Sequence, residues 1–177
     1  MTPKRRMALL ALLALVQIGA GAWTVARHEA ARASGTEIRL RFVPGDSYAE
    51  HFGPLRVRYG FPPQVPGTDT ALAEGARGRG CVLFTVDAGG YALPTEFRDE
   101  APAGGLWLAA RALRSRGSKD VTPSYPVETI YLSDAARKRF EERRNLTPAG
   151  DSYVLVRVRD GVAAVLAVVV HGERLAD

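Results

Sequence analysis

The sequence predicts a mainly β (α+β) protein, in which an N-terminal transmembrane helix precedes one compact β-rich domain of about eight strands with one short helix. Three observations in the 177 residues lead to this fold class. Residues 7–26 carry no charge, several later segments alternate between apolar and polar residues, and turn-forming residues separate those segments. A long uncharged run is typical of a membrane-spanning helix, whereas alternation is typical of half-buried strands.

The uncharged run contains 20 residues and would be about 30 Å long as an α-helix, which matches the hydrocarbon thickness of a bilayer. Three basic residues precede it, so we expect the N-terminus in the cytoplasm and the domain outside. The predicted organisation is given by four ranges. They are a cytoplasmic basic tail at 1–6, the transmembrane helix at 7–26, a juxtamembrane linker at 27–36 and an extracytoplasmic β-rich domain at 37–177.

Removal of the helix as a signal peptide is the alternative. Residues 20–22 (Ala-Gly-Ala) fit the small-x-small pattern that a signal peptidase accepts. The apolar run is longer than the usual signal-peptide core, and Trp23 with Arg27 is typical of an interfacial anchor. We therefore predict an uncleaved helix.

The formal charge of +5 is concentrated around the apolar run. Setting aside the five bases of the first 32 residues and the single acid Glu29 leaves 19 basic and 18 acidic residues, a net charge of +1 for the rest of the chain. Nucleic-acid binding needs a basic face on the folded domain. The charge distribution instead marks the ends of a membrane helix, and we predict no nucleic-acid partner.

The strands are predicted from alternation and from turn residues between apolar runs. Ser133 is a good N-cap for the polar residues that follow it to about Arg144, and this pattern predicts the short helix. The stretches 61–80 and 114–126 are rich in turn-forming residues and are expected to be loops, the first with one helical turn near 71–76. The predicted strands are 37–42, 55–59, 81–87 paired with 91–97, 106–113, 127–132, and 153–159 paired with 162–170 across the Asp160-Gly161 turn.

The familiar catalytic and metal-binding patterns are missing from the sequence. His28, His51 and His171 have no metal-ligand spacing, and Cys81 is the single cysteine, which excludes an intramolecular disulfide. We expect Cys81 to be a small buried hydrophobic residue. A Ser-Lys hydrolase is disfavoured because the lysines of the domain, at 119 and 138, lie in a predicted loop and on a polar helix. The sequence therefore predicts no cofactor and no metal.

A resemblance to a known protein family covers nearly the whole chain, from the short basic start and the apolar helix to the β-rich remainder, and two segments carry its motifs. Pro44 and Asp46 fit the family's Pro-x-Asp turn, Gly53 fits the glycine of the motif, and Tyr59 fits its closing tyrosine. Val57 stands at the leucine position, Pro54 and Leu55 stand at the Asp-Tyr pair, and the spacing is one residue short. With these differences, the chain resembles a bacterial family of membrane-anchored proteins with a Gly-Asp-Tyr-x-x-Leu-x-Tyr motif.

The second segment, residues 125–132, is similar to the family's Tyr-Gly-Ile-Glu segment and includes Glu128 and Tyr131. It is followed by Asp134 and by Glu141. The resemblance implies a single-pass protein of the bacterial cytoplasmic (inner) membrane, often encoded beside multipass membrane proteins, and it implies no assigned activity. The candidate residues for binding a ligand or partner are Asp46, Gly53, Tyr59, Glu128, Tyr131 and Glu141.

These observations support three hypotheses. The leading one is an envelope accessory protein that binds a membrane-protein partner or an envelope ligand, without catalysis. The alternative is a carboxylate-dependent hydrolase or lyase that uses Asp46, Glu128 and Glu141, provided that they meet in one cleft. The third is membrane-surface binding by the arginine-faced strands at 39–41 and 56–58.

Overall fold

A computed structural model describes residues 3–49, 53–68, 70–146 and 151–175 of the chain. It confirms the predicted fold class, because one long apolar helix is followed by a domain built mainly from strands. The two helices are α1 (Pro3–Ser34) and α2 (Asp134–Arg143). The strands of the described residues are β1 (Thr36–Arg41), β2 (Tyr48–Ala49), β3 (Leu55–Arg56), β4 (Val65–Pro66), β5 (Arg77–Val86), β6 (Ala92–Arg98), β7 (Leu106–Arg114), β8 (Asp120–Ser124), β9 (Thr129–Ile130), β10 (Tyr153–Arg159), β11 (Val162–Val170) and β12 (Glu173–Leu175).

Helix α1 stands away from the domain over most of its length. Large apolar side chains on all its sides are exposed, among them Met7 at 72%, Ile18 at 68% and Trp23 at 68%. Within the described part of the chain, α1 is the helix that is long and apolar enough to cross a membrane. The helix continues to Ser34 without a break, so most of the expected linker at 27–36 is helical.

The first sheet has the order β1-β10-β11-β12, and all its neighbouring strands are antiparallel. Both tight turns in it are two residues long. Asp160 and Gly161 have φ of 49° and 73°, and His171 and Gly172 have φ of 50° and 83°. Positive φ at both positions is what a type I′ turn requires, so the predicted Asp160-Gly161 hairpin is confirmed. The second hairpin, which adds β12, was not predicted.

The second sheet has five strands in the order β4-β8-β7-β5-β6. A parallel bridge between Gly67, next to β4, and Phe97 of β6 joins its two outer strands, so the sheet curls into a small barrel. Gly80 of β5 lies directly against β6, because a Cβ there would overlap the Arg98 carbonyl and lie 2.5 Å from the Phe97 ring. Three short strands form the remaining sheet, in the order β2-β3-β9.

One hydrophobic core joins the sheets and α2. Parallel bridges from Arg39 to Tyr91 and from Leu108 to Gly161 connect the first sheet to the barrel. Helix α2 begins as predicted, since the Ser133 hydroxyl accepts a 3.2 Å hydrogen bond from the Ala136 amide. The largest fully buried side chains include Phe97, Phe140, Ile38, Leu40, Leu55 and Leu108.

Several local predictions were wrong. The expected loop at 114–126 contains β8, and the expected connection at 61–80 contains β4 and the start of β5. In the predicted strand 127–132, residues Thr129–Ile130 alone are extended, after a 3₁₀ turn at Pro126–Glu128. The described residues form twelve strands rather than about eight, because four strands were not predicted: the short β2, β4 and β12, and β8, which contains Pro123.

Candidate binding groove at the base of the apolar helix

The C-terminal turns of α1 are tied to the first sheet by three arginine contacts. Arg27 donates a 2.8 Å hydrogen bond to the carbonyl of Asp160, in the β10–β11 turn. Arg157 and Arg159 of β10 donate in return to the Arg32 carbonyl at 2.7 Å and to the Ser34 hydroxyl at 2.6 Å. The helix therefore enters the domain as a braced element.

A groove of about 840 Å³ lies beside this junction. Its lining comes from the base of α1, from β11 and from the chain around β9, and it includes apolar and charged side chains. Three of the nine residues of β11 are only half-buried, and all three line the groove. The lining comprises His28, Glu29, Arg32, Ala109, Pro126, Val127, Thr129–Ile130, Tyr131, Leu132, residues 161–168, Arg174 and Leu175.

Strand β11 presents an unpaired backbone edge to this groove. Strand β10 pairs with one edge of β11 along its length, whereas β12 pairs with the other edge at residues 168–170 only. In a two-residue hairpin the residues flanking the turn bond to each other, so Val162 and Ala164 face β10 while Ala163 and Val165 face away. Within the described residues, no hydrogen bond is found for the backbone of Ala163 or Val165 on that side.

This open edge, the outward backbone groups of Ala163 and Val165, is bounded at both ends. At one end the Gly161 carbonyl accepts a 3.0 Å hydrogen bond from the Ala109 amide of β7. At the other end Arg174 donates a 3.0 Å hydrogen bond to the Leu166 carbonyl, and β12 begins to pair immediately after. Proteins normally cover or pair their strand edges. Here the covering stops over residues 162–165, which line the groove.

A second strand edge lines the same groove. The Val57 amide donates a 2.9 Å hydrogen bond to the Glu128 carbonyl, and Leu55 pairs with Ile130. Antiparallel strands alternate between bonded and non-bonded positions, so the backbone of Thr129, between these two pairs, faces away from β3. Thr129 is a lining residue of the groove. Among the described residues no backbone hydrogen bond is found for Thr129 on that side, so β9 as well as β11 contributes unpaired backbone to the lining.

The charged side chains of the groove are not neutralised within it. His28, Glu29 and Arg32 come from α1, and Arg174 from β12. Arg174 is engaged with the Leu166 carbonyl. In the part of the chain that the structure describes, the Arg32 guanidinium makes no hydrogen bond or ion pair. Arg32 therefore offers a charge to whatever enters the groove.

Tyr59 and the segment around Glu128 meet behind the groove. The buried Tyr59 hydroxyl donates a 2.8 Å hydrogen bond to the Val127 carbonyl. Its ring belongs to an aromatic cluster, stacked on Phe61 at 5.2 Å and edge-on to Tyr125 at 6.1 Å. Burial, followed by the charge of Glu128, raises the pKa of both Tyr59 and Tyr125. Both tyrosines are therefore neutral structural groups at ordinary pH.

Glu128 has a structural role. Its carboxylate accepts 2.9 Å and 2.8 Å hydrogen bonds from the Ser124 hydroxyl and the Tyr125 amide. These bonds hold the 3₁₀ turn that precedes β9. The residue thus fixes the wall of the groove from behind and is not among the lining residues.

The other candidate residues occupy separate places. Asp46 pairs with Arg58 at 3.6 Å, on the surface. Glu141 of α2 pairs with Arg144 at 2.9 Å and accepts a 3.4 Å hydrogen bond from the Ala49 amide. Gly53 is half-buried just before β3.

Tyr131 alone of the six candidates lines the groove, where it is 80% exposed. Each of the three candidate carboxylates has its own local partners, which gives no support to an acid/base pair. The search of the described residues for three or more His, Cys, Asp and Glu side chains able to hold a metal ion finds none. His51 lies outside the described residues.

The arginines of the two alternating strands are also engaged. The guanidinium of Arg41 lies 4.3 Å from the centre of the Tyr91 ring, and that of Arg39 lies 5.1 Å from the centre of the Tyr153 ring. Arg56 donates a 2.6 Å hydrogen bond to the Thr129 hydroxyl. These arginines make contacts within the domain, whereas the lipid-binding hypothesis requires their charges to face the membrane surface.

Cys81 is buried, as predicted, and its thiol donates to the Glu100 carbonyl at 3.2 Å. Burial raises its pKa, which disfavours the reactive thiolate.

Sequence reasoning did not find the groove itself. The uninterrupted apolar run at 162–170, followed by His171-Gly172, was a signal for a hairpin that leaves part of β11 uncovered. The contribution of the α1 base had no sequence signal, because it depends on how the helix enters the sheet.

A scan of the chain against protein-family models finds no match, and neither do searches of curated proteins and of solved structures. The resemblance to the membrane-anchored bacterial family therefore stays a prediction.

Proposed function

We propose that this protein is a single-pass accessory protein of a bacterial cytoplasmic membrane, whose extracytoplasmic β domain binds a membrane-protein partner. The observation that carries the proposal is the position of the groove. Its lining begins at His28, two residues after the end of the apolar run at Ala26. A site so close to the bilayer surface is accessible to the membrane-proximal parts of other membrane proteins.

Two further features support binding rather than catalysis. The groove combines apolar walls with a few charged side chains, which is typical of recognition sites. The carboxylates expected to serve in a hydrolase or lyase are instead used to hold turns and helix contacts. An envelope ligand other than a protein would occupy the same groove.

The proposal is tested by chemical cross-linking in intact membranes, followed by purification of the full chain in detergent. Tyr131→Ala and Arg32→Glu change the groove, and we expect each to lower recovery of a co-purifying membrane protein at least fivefold. Tyr48→Ala and Arg79→Glu are matched controls, since both residues are exposed outside the groove. Equal recovery from all four variants, or no membrane protein with the unchanged chain, would refute the proposal.

A further inference from the structure

The backbone groups that line the groove define the kind of ligand more closely than its side chains do. Ala163 and Val165 direct unpaired backbone groups toward it from β11, and Thr129 does so from β9. Backbone donors and acceptors in a partly apolar groove are best satisfied by another backbone in extended conformation. An acyl chain could fill the space but could not form these hydrogen bonds.

We propose that the groove binds an extended segment of a partner protein, which adds to β11 as a further strand and places an acidic side chain against Arg32. This inference rests on the proposed function and names the form of the bound segment. The Gly161–Ala109 and Arg174–Leu166 hydrogen bonds limit the free edge to residues 162–165. At about 3.3 Å per residue, the paired part of the bound segment is about four residues long.

Charge selects among the extended segments that would fit. Glu29, Arg32 and Arg174 give the lining a net charge of +1. Arg32 has no partner among the described residues, whereas Arg174 is held by the Leu166 carbonyl. A carboxylate reaching Arg32 would form a charge-assisted hydrogen bond at the edge of the groove. The apolar lining from β11 favours apolar residues at the alternate positions that face it. The expected segment is therefore short, alternating and acidic.

The test attaches a defined probe to the full-length chain in lipid nanodiscs. Tyr131→Cys provides an attachment point at the groove, and the native Cys81 is buried and does not compete. The probe is a hexapeptide of alternating Val and Thr with one Glu, joined through a Gly-Gly-Cys tail by a disulfide. Tethering raises the effective concentration, so weak strand pairing becomes measurable. Tyr48→Cys, outside the groove, carries the same probe as a control.

The readout is amide hydrogen exchange at Ala163 and Val165, with Val162 and Ala164 as internal references that already face β10. We expect exchange at Ala163 and Val165 to slow at least tenfold with the probe at position 131 and to stay unchanged with the probe at position 48. N-methylation of every second probe residue separates backbone from side-chain recognition. N-methyl groups on one set of alternate probe residues should abolish the protection, and N-methyl groups on the other set should preserve it. The reason is that successive residues of a strand direct their backbone groups to opposite edges.

Charge exchange tests the role of Arg32. Arg32→Glu should remove the protection given by the Glu probe, and replacing the probe's Glu by Lys should restore it. Arg79→Glu should have neither effect. No protection from the tethered probe, or equal loss with both phases of N-methylation, would overturn the proposal.

The proposal would also be overturned if the amides of Ala163 and Val165 became protected without any probe as the number of chains per nanodisc increased. A second copy of the chain would then cover the edge. These outcomes are distinct from failure of the proposed function. If Tyr131→Ala and Arg32→Glu still release a partner while the probe fails, the groove binds its partner by another mode.

Discussion

The Tyr59 hydroxyl and the Val127 carbonyl are joined by a 2.8 Å hydrogen bond, which connects the aromatic cluster to the lining of the groove. Tyr59 lies before the barrel in the chain and Val127 lies after it. This one contact therefore helps to position the segment that leads into β9.

Replacing Tyr59 by Phe should lower the free energy of unfolding by about 1–3 kcal/mol. The reason is that the Val127 carbonyl would lose its partner in a buried place. Urea unfolding of the full chain in detergent, followed by tryptophan fluorescence, measures the change. Tyr131→Phe is the control, because that side chain is 80% exposed, and it should change the free energy by less than about 0.5 kcal/mol.

Stability should decrease above about pH 10. Burial raises the pKa of Tyr59 and Tyr125 in the folded state, so above the ordinary tyrosine pKa of about 10 the unfolded chain loses protons that the folded chain retains. Stability from this source is fully present below pH 10 and is lost as the pH rises toward the folded pKa values. Thermal unfolding between pH 8 and 11 tests this. A double Tyr59→Phe, Tyr125→Phe variant with an equally steep decrease would contradict the assignment.

Gly161 should tolerate alanine less well than Gly172. Both occupy the second position of a type I′ turn with φ near 73° and 83°, so both variants acquire the same backbone strain. A Cβ at Gly161 would also overlap the Trp107 ring, whereas one at Gly172 meets open space. We expect Gly161→Ala to be the more destabilising by about 1–3 kcal/mol in thermal unfolding. Equal effects would mean that the Trp107 ring moves aside freely.

Gly35→Ala should loosen the attachment of α1 to the domain. A Cβ at this position would lie 2.5 Å from the Ala31 carbonyl and 2.9 Å from the Val158 carbonyl. The expected result is faster amide hydrogen exchange in the last turn of α1, together with a loss of about 1–3 kcal/mol in stability. Gly45→Ala provides the control, since a Cβ there has no neighbour within 4 Å. Unchanged exchange in α1 would show that the junction adapts without cost.

Leu15→Arg should impair membrane insertion of α1. An arginine near the centre of a membrane helix costs about 2.5–3.5 kcal/mol on insertion scales. Thr24→Arg lies near the end of the apolar run, where a long basic side chain can reach the interface, and it should cost much less. Carbonate extraction of membranes measures the difference. Full extraction of the unchanged chain, or a chain whose mass shows that it begins near Trp23, would contradict an uncleaved anchor.

The strands that could be predicted are those whose signal is local. The segment at 37–42 alternates along its own length, and Asp160-Gly161 marks its hairpin without any help from distant residues. Strand β8 was missed because it contains Pro123 and follows a loop rich in small polar residues. Strand β8 is extended because it pairs with β7, where Ala112 lies opposite Pro123. On its other side β4 pairs only with Asp120 and Val121, so the missing amide of the proline disrupts no ladder there.

The groove was beyond sequence reasoning for a similar reason. It is formed where the free edges of β9 and β11, more than 30 residues apart in the chain, line the same space as the base of α1. Tyr131 was singled out by resemblance alone. Arg32 also lines the groove, but its position beside the apolar run indicates only a charge that flanks the helix and not the space that the side chain faces.

Helix α1 runs unbroken from the apolar run to the first sheet. It therefore sets the distance between the apolar run and the groove, in addition to attaching the helix to the domain. At about 1.5 Å per residue, Arg32 lies about 9 Å along the helix axis from Ala26, the last residue of that run. Arg157 and Arg159 hold the end of the helix at Arg32 and Ser34, and no loop interrupts the helix between Ala26 and Arg32. Under the proposed membrane anchoring, a partner segment about 10 Å from the bilayer surface would meet the groove, and the same sequence displayed much farther out would not.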